Sequence, residues 1–181
     1  MLGLGRVGKR LGSAGLRALS TGGSGGGAAF KVSAGNPKLD PKIKYTKVEA
    51  TWRQLCDFEL IANGGFAQLG GGFLAKKDYE RVCSEFRLTN GQLWPIPIVF
   101  DISEATKAEL EAGDGKLLIT DSKGTARGVL HVSEVWKADK DAEGVQVYGG
   151  NKDHCEIVNI KENIHPYYAG GKVEVLSLPE Y

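Results

Sequence analysis

No apolar run in this chain extends far before a glycine, a proline or a charged side chain interrupts it. A membrane-crossing helix requires about 18 consecutive apolar residues, and no stretch approaches that length. What the pattern permits is a fold of short elements joined by turns, its interior assembled from many small apolar pieces. With 181 residues, 41% of them hydrophobic and 25% charged, the chain has the apolar mass for one such domain.

Charge is unevenly spread. Residues 1 to 39 contain Arg6, Lys9, Arg10, Arg17, Lys31 and Lys38 and no acid; the first acid is Asp40. Removing those six from 23 basic residues leaves 17 against 22 acids, so residues 40 to 181 carry a formal charge of −5. An Arg-bearing, Ser-containing, acid-free beginning with Leu2, Leu4, Val7, Leu11 and Leu16 interleaved has the character of an organelle transit peptide. Arg17-Ala-Leu-Ser20 before Thr21-Gly-Gly resembles a mitochondrial processing junction, which divides the chain into a transit peptide over 1–20, a flexible Gly/Pro-rich lead-in over 21–44, and a domain over 45–181. Gly3, Gly5 and Gly8 spell a dinucleotide fingerprint, but that motif has meaning only after a strand, and two residues precede it.

Within the domain, Thr51 is placed to cap a helix whose Trp52, Leu55, Cys56, Glu59 and Leu60 follow helical spacing up to the stop at Asn63-Gly64-Gly65. A glycine-rich loop follows to Phe73, without the Gly-Lys-Ser/Thr ending of a phosphate-binding loop. Asp78 opens a second helix with Tyr79, Val82, Cys83 and Phe86 on one face. After Asn90-Gly91 the pattern turns to strands: Leu93 to Phe100 with its two prolines, Lys116 to Thr120, a turn at Asp121 to Gly124, and Thr125 to Val135. A last strand pair is predicted at Val145 to Tyr148 and Gly171 to Leu176, joined by an irregular stretch. The fold class expected is α+β, mostly β, with two flanking helices.

Reactive side chains are scattered. Cys56, Cys83 and Cys155 form no Cys-x-x-Cys pair, which excludes a spelled-out disulfide framework or four-ligand zinc site, and Cys83 sits at a core-facing helical position. Asp153, His154 and Cys155, with His165 beyond, match no metal spacing and read as a surface turn. Glu109 with Glu111 and Asp139 with Asp141 stand beside lysines, as on a solvated face. Trp94, Trp136, Tyr167 and Tyr168 offer aromatic surface for stacking, yet the acidic body lacks the basic stripe that phosphate binding demands.

From Arg53 the sequence is specific. Arg53-Gln-Leu-Cys-Asp-Phe-Glu-Leu-Ile-Ala-Asn-Gly-Gly-Phe66, Gly72-Phe73, Lys77-Asp78-Tyr79, Arg87-Leu88 and Gly91-Gln-Leu-Trp-Pro-Ile-Pro-Ile98 resemble the N-terminal PUA-like domain of ATP sulfurylase (sulfate adenylyltransferase). The likeness continues through Asp139-Lys140, Val147-Tyr148-Gly149, His154 and Tyr167 to Leu176, covering about residues 45 to 178. It implies a PUA-like pseudo-barrel of short strands with helices on its flanks. In that family the Gln-x-Arg-Asn-Pro-like and His-x-x-His motifs that handle substrate follow this domain. None of this sequence matches them, so the resemblance carries over no catalytic residue. Two departures stand out: Gly64-Gly-Phe-Ala-Gln-Leu-Gly-Gly-Gly-Phe73 replaces a Ser-Pro and gains a residue, and His154-Cys-Glu-Ile157 replaces His-Pro-Gly-Val.

The expectation is therefore a non-catalytic accessory subunit of a mitochondrial assembly, of the respiratory chain or ATP synthase, in the matrix or at the matrix face of the inner membrane and at most peripheral to it. Its partners would be other protein subunits, met through Trp136, His154, Tyr167 and Tyr168, with no cofactor, no metal and no catalytic residue. The alternatives are an RNA-binding module, which the acidic body disfavours, and a regulatory remnant of sulfate activation.

Overall fold

The computed structural model describes residues 39–179; the expected transit peptide and most of the lead-in lie outside them. The elements run β1 (Thr46–Glu49), α1 (Trp52–Asn63), a 3-10 turn (Ala67–Leu69), β2 (Gly72–Phe73), α2 (Lys76–Glu85), β3 (Phe100–Ile102), α3 (Glu104–Glu111), β4 (Lys116–Thr120), β5 (Ala126–Lys137), α4 (Lys140–Tyr148), α5 (Cys155–Glu162) and β6 (Tyr167–Val175). The class is α+β, as expected, with a six-stranded mixed sheet that does not close. Its order is β1-β4-β5-β6-β2, and β3 also pairs with β6.

Local chemistry explains the first helix and the hairpin. The Thr51 hydroxyl accepts from the Gln54 amide while the Gln54 side chain accepts from the Thr51 amide, a reciprocal cap, and Gly64 ends α1 in the left-handed region at φ 87°. In the β4–β5 turn Asp121 Oδ1 accepts from the Lys123 and Thr125 amides at 2.9 and 2.8 Å. At the other end of the hairpin, a bulge between Val132 and Glu134 shifts the β5–β6 register.

Close backbone approach fixes the junction of β2, β5 and β6. A Cβ on Gly72 would stand 2.0 Å from the Gly171 carbonyl oxygen, and one on Gly171 would stand 2.1 Å from that of His131. Only glycine fits there.

Two cores result. Leu55, Phe58, Ile61 and Ala62 of α1 pack on Phe100, Leu117, Ile119 and Leu130 of the sheet, and Gly128 lets the Phe58 ring reach the backbone of β5. Tyr79, Val82 and Cys83 of α2 pack with Trp136 and Tyr168. Cys83 is buried as its helical position predicts.

Several expectations need correction. Among the described residues there are five α-helices, not two, and they hold more residues than the strands, so the domain is not mostly β. Val145 to Tyr148 is not a strand but the end of α4. The Asp139 side chain accepts from the Ala142 amide at 3.0 Å, Gly149 closes the helix at φ 74°, and those caps outweigh the β-branched valines. The stretch after Asp153 is likewise helical, with His154 as its cap. Leu93 to Ile98 does not join the sheet, since Pro95 and Pro97 have no N–H to give a ladder, and only Phe100–Ile102 pairs. The second helix begins at Lys76; Asp78 lies in its first turn, where it accepts from the Thr89 amide at 2.7 Å.

Candidate functional site

The Trp94 to Ile98 segment, kept out of the sheet by its prolines, lines a groove of about 600 Å3 together with α1, α4 and α5. Its apolar lining includes Phe66, Trp94, Pro95, Ile96 and Ile98. Its polar lining includes Arg53, Gln54 and Asp57 of α1, Glu143 and Tyr148 of α4, and Glu156 of α5. Arg53 and Asp57, four residues apart on a helix, necessarily share a face.

Most polar groups of the groove are held. Arg53 Nη1 donates to Glu156 Oε2 at 2.6 Å, tying α1 to α5. Burial opposes the Arg53 charge, but the hydrogen bond to Glu156 and the charges of Glu156, Tyr148 and Asp57 together outweigh it and lift the guanidinium pKa. Gln54 Nε2 donates to Asp101 Oδ1 at 2.6 Å and to its carbonyl at 2.9 Å, while the His165 amide donates to Asp101 Oδ2 at 2.9 Å. Glu143, 5% exposed, accepts at Oε2 from the hydroxyls of Tyr79 at 2.9 Å and Tyr168 at 3.0 Å. Burial pushes the Glu143 carboxyl up against the pull of those hydroxyls, and burial followed by the Glu143 charge pushes both phenols above their ordinary range. Cys83 beside them is pushed up to about 12 by burial and the same charge, an inert thiol.

Asp57 differs. Among the described residues its carboxylate has no hydrogen-bond partner, and burial raises its pKa to about 6 against the attraction of Arg53. No three His, Cys, Asp or Glu side chains among the described residues come close enough together to hold a metal ion. The indole Nε1 of Trp94 is buried without an acceptor, and its ring meets that of Phe66 edge-on at 5.2 Å.

The residues expected to meet a partner do not form one surface. Trp136 and Tyr168 are 8% and 2% exposed, directly paired across β5 and β6 and stacked edge-on in the second core, and Tyr168 also lines the groove. Tyr167 is half-buried, with Lys107 Nζ 5.4 Å from its ring centre. His154, also half-buried, lies 5.2 Å from the Tyr148 ring, and its Nδ1 accepts from the Glu156 amide at 3.2 Å. It caps α5, beside the groove. His131, in its predicted strand, lies 3.0 Å from Glu174. Trp94 and Tyr168 are the aromatics of the expected stacking platform that line the groove. The sequence reading missed Arg53, Asp57, Glu143 and Glu156; the i, i+4 pair on α1 was the available signal, and the α4 and α5 contributions required knowing that those segments are helices.

Comparison with known proteins agrees with this architecture. Sulfate adenylyltransferase of Eremothecium gossypii is 40% identical over 131 residues, covering 72% of this chain and 26% of the relative. That of Aspergillus clavatus is 39% identical over 129 residues, 70% of this chain and 22% of the relative, and that of Saccharomyces cerevisiae is 37% identical over 131 residues, 72% and 25%. The chain thus spans about a quarter of the length of these relatives, matching their N-terminal region. A solved structure described as a hexameric APS kinase from Thiobacillus denitrificans shares the fold, with a TM-score of 0.54 over 76% of this chain and 22% of that one at 23% identity. The family profile described as "PUA-like domain" matches residues 33–178, so the chain belongs to the PUA-like domain family, in the form found at the N-terminus of ATP sulfurylases.

Proposed function

We propose that this chain is a non-catalytic docking module, working as an accessory subunit of a mitochondrial multiprotein complex, with a respiratory-chain or ATP synthase assembly as the first candidate. The observation that carries the reading is the open groove between α1 and the Trp94 to Ile98 segment, which presents apolar wall and charge together. Ile96 in its lining is 42% exposed, and Trp52 and Leu93, next in sequence to the lining residues Arg53 and Trp94, are 65% and 66% exposed. Exposed large apolar side chains near a concave site are characteristic of protein contacts. The groove's polar groups support binding over chemistry. Glu143 and Asp101 are locked by hydrogen bonds, Arg53 is paired, and His154 uses its Nδ1 as a helix cap. No helix among the described residues is long and apolar enough to cross a membrane, and the basic, acid-free residues 1 to 39 support import.

Native gel separation of gently solubilised mitochondria, with mass spectrometry of each band holding this chain, tests the proposal. Comigration with a large inner-membrane complex is expected; a free chain near its own mass of 19.4 kDa, or comigration with ribosomal RNA, overturns it. The relatives' printed name motivates a second reading, a part in sulfate activation. Adenylyltransferase activity from the isolated chain would establish that reading in place of the first.

A further inference from the structure

The groove is unbalanced in charge. Asp57, Asp101, Glu143 and Glu156 line it against Arg53 alone. Arg53 is committed to Glu156, and Asp101 to Gln54 and His165. Glu143 holds two tyrosine hydroxyls. Asp57 keeps a carboxylate that is partly desolvated, hydrogen-bonded to nothing among the described residues, and attracted by Arg53 one turn away. Such a group is stabilised by any cation that can reach it.

A bare metal ion does not suit the site, because no three ligating side chains among the described residues converge there. The carboxylates are dispersed around about 600 Å3 of space that has Trp94, Pro95 and Ile96 along its wall. That spacing suits a cation with an apolar stem, whose methylenes lie on the wall while its head meets the carboxylate. A free amine would fill only the cavity. A peptide segment would also cover exposed Ile96, in the lining, and reach toward exposed Leu93, next to Trp94 in the chain.

Resting on the docking reading above, we propose that the groove receives an arginine or lysine side chain carried on a segment of the partner protein, its charged head against Asp57 and its stem along Trp94 to Ile96. The same groove is then the specificity site of the contact: a partner segment without a basic residue would leave Asp57 buried and uncompensated.

The charged and titratable groups that share the groove with Asp57 are Arg53 on its own helix, Glu156 on α5, Glu143 and Tyr148 on α4, and Asp101 and Tyr168 on the sheet, and of these Arg53 is the one whose charge acts on it. Because its carboxyl titrates at about 6, binding should weaken as pH falls through that value.

The probe is the capped tripeptide acetyl-Leu-Arg-Leu-amide, titrated calorimetrically into the full chain beside its citrulline counterpart, which has the same shape and no charge. The arginine peptide should bind about ten-fold or more tightly than the citrulline one, the scale of one hydrogen bond to a charged group. Asp57→Asn should abolish that preference, and Asp57→Glu, which keeps the charge, should restore part of it. Equal affinities for the two peptides, no binding of either, or an unchanged preference in Asp57→Asn overturns the inference. The native gel separates its failure from that of the docking reading. If Asp57→Asn chain still enters the complex as wild type does, docking stands and the basic-residue contact falls; if wild-type chain enters no complex, docking itself falls.

Discussion

Asparagine at position 57 should make the free protein more stable at neutral pH, although it removes a charge near Arg53. Burial raises the Asp57 carboxyl from its ordinary 3.8 to about 6, against the attraction of Arg53. A group whose folded pKa lies above its unfolded value contributes stability that is fully present below the unfolded pKa and is lost as pH rises through the folded one. Above pH 6 the fold therefore carries an ionised, poorly solvated carboxylate that the unfolded chain does not. The shift is about two pKa units, and at 1.36 kcal/mol for each it sets an upper limit of about 3 kcal/mol. Asp57 is half-buried in an open groove where water relieves part of this, so a gain of about 1–2 kcal/mol is expected. The amide is nearly the size of the carboxyl, so packing should not change. Urea unfolding of wild type and Asp57→Asn, at pH 4 and at pH 7.5, measures it: curves that separate at pH 7.5 in favour of Asn and converge toward pH 4 are expected. A variant less stable at pH 7.5, or a difference independent of pH, would refute the argument by showing that Arg53 attraction outweighs desolvation.

Other substitutions probe the frame behind the groove. Phe58→Ala, at a fully buried ring against Gly128, should cost about 3–5 kcal/mol by chemical denaturation. Tyr168→Phe removes one of two hydroxyls from Glu143 and should cost about 1.5–3 kcal/mol; a double-mutant cycle with Tyr79→Phe should give a non-additive result because both donate to one oxygen. Gly171→Ala would force a methyl group within 2.1 Å of a β5 carbonyl and should lower expression of soluble protein or yield no cooperative unfolding, whereas Gly124→Ala, in open space at φ 78°, should cost about 1 kcal/mol.

The parts of this fold legible in the sequence are those fixed by local chemistry. Thr51 with Gln54, and Asn63 with Gly64, bound α1 because cap and stop are both nearest-neighbour effects. The β4–β5 hairpin is legible for the same reason: one aspartate organises its turn. Val145 to Tyr148 misled because alternating valines resemble a strand, and the helix was set by caps at Asp139, six residues before Val145, and at Gly149, directly after Tyr148. Trp136 and Tyr168 misled differently. Aromatic residues suit an interface and a core equally, and only the cross-strand register of β5 and β6, with α2 laid over it, places them inside. The groove was the least legible feature, since its charged lining is drawn from α1, β3, α4 and α5, which lie far apart in the sequence.

The last strand of the chain has a further consequence for how the molecule is made. β6 holds β5 along its length on one side and both β3 and β2 on the other, so two strands formed early in the sequence have their ladder partner only in residues 167–172. While the chain emerges in order, β2 and β3 must wait as unpaired segments with Phe73 and Phe100 exposed, until more than 60 residues later their partner arrives. A chain broken off before Tyr167 should therefore be a target for chaperones and proteases, not a smaller folded protein, and quality control of this domain falls on its final strand.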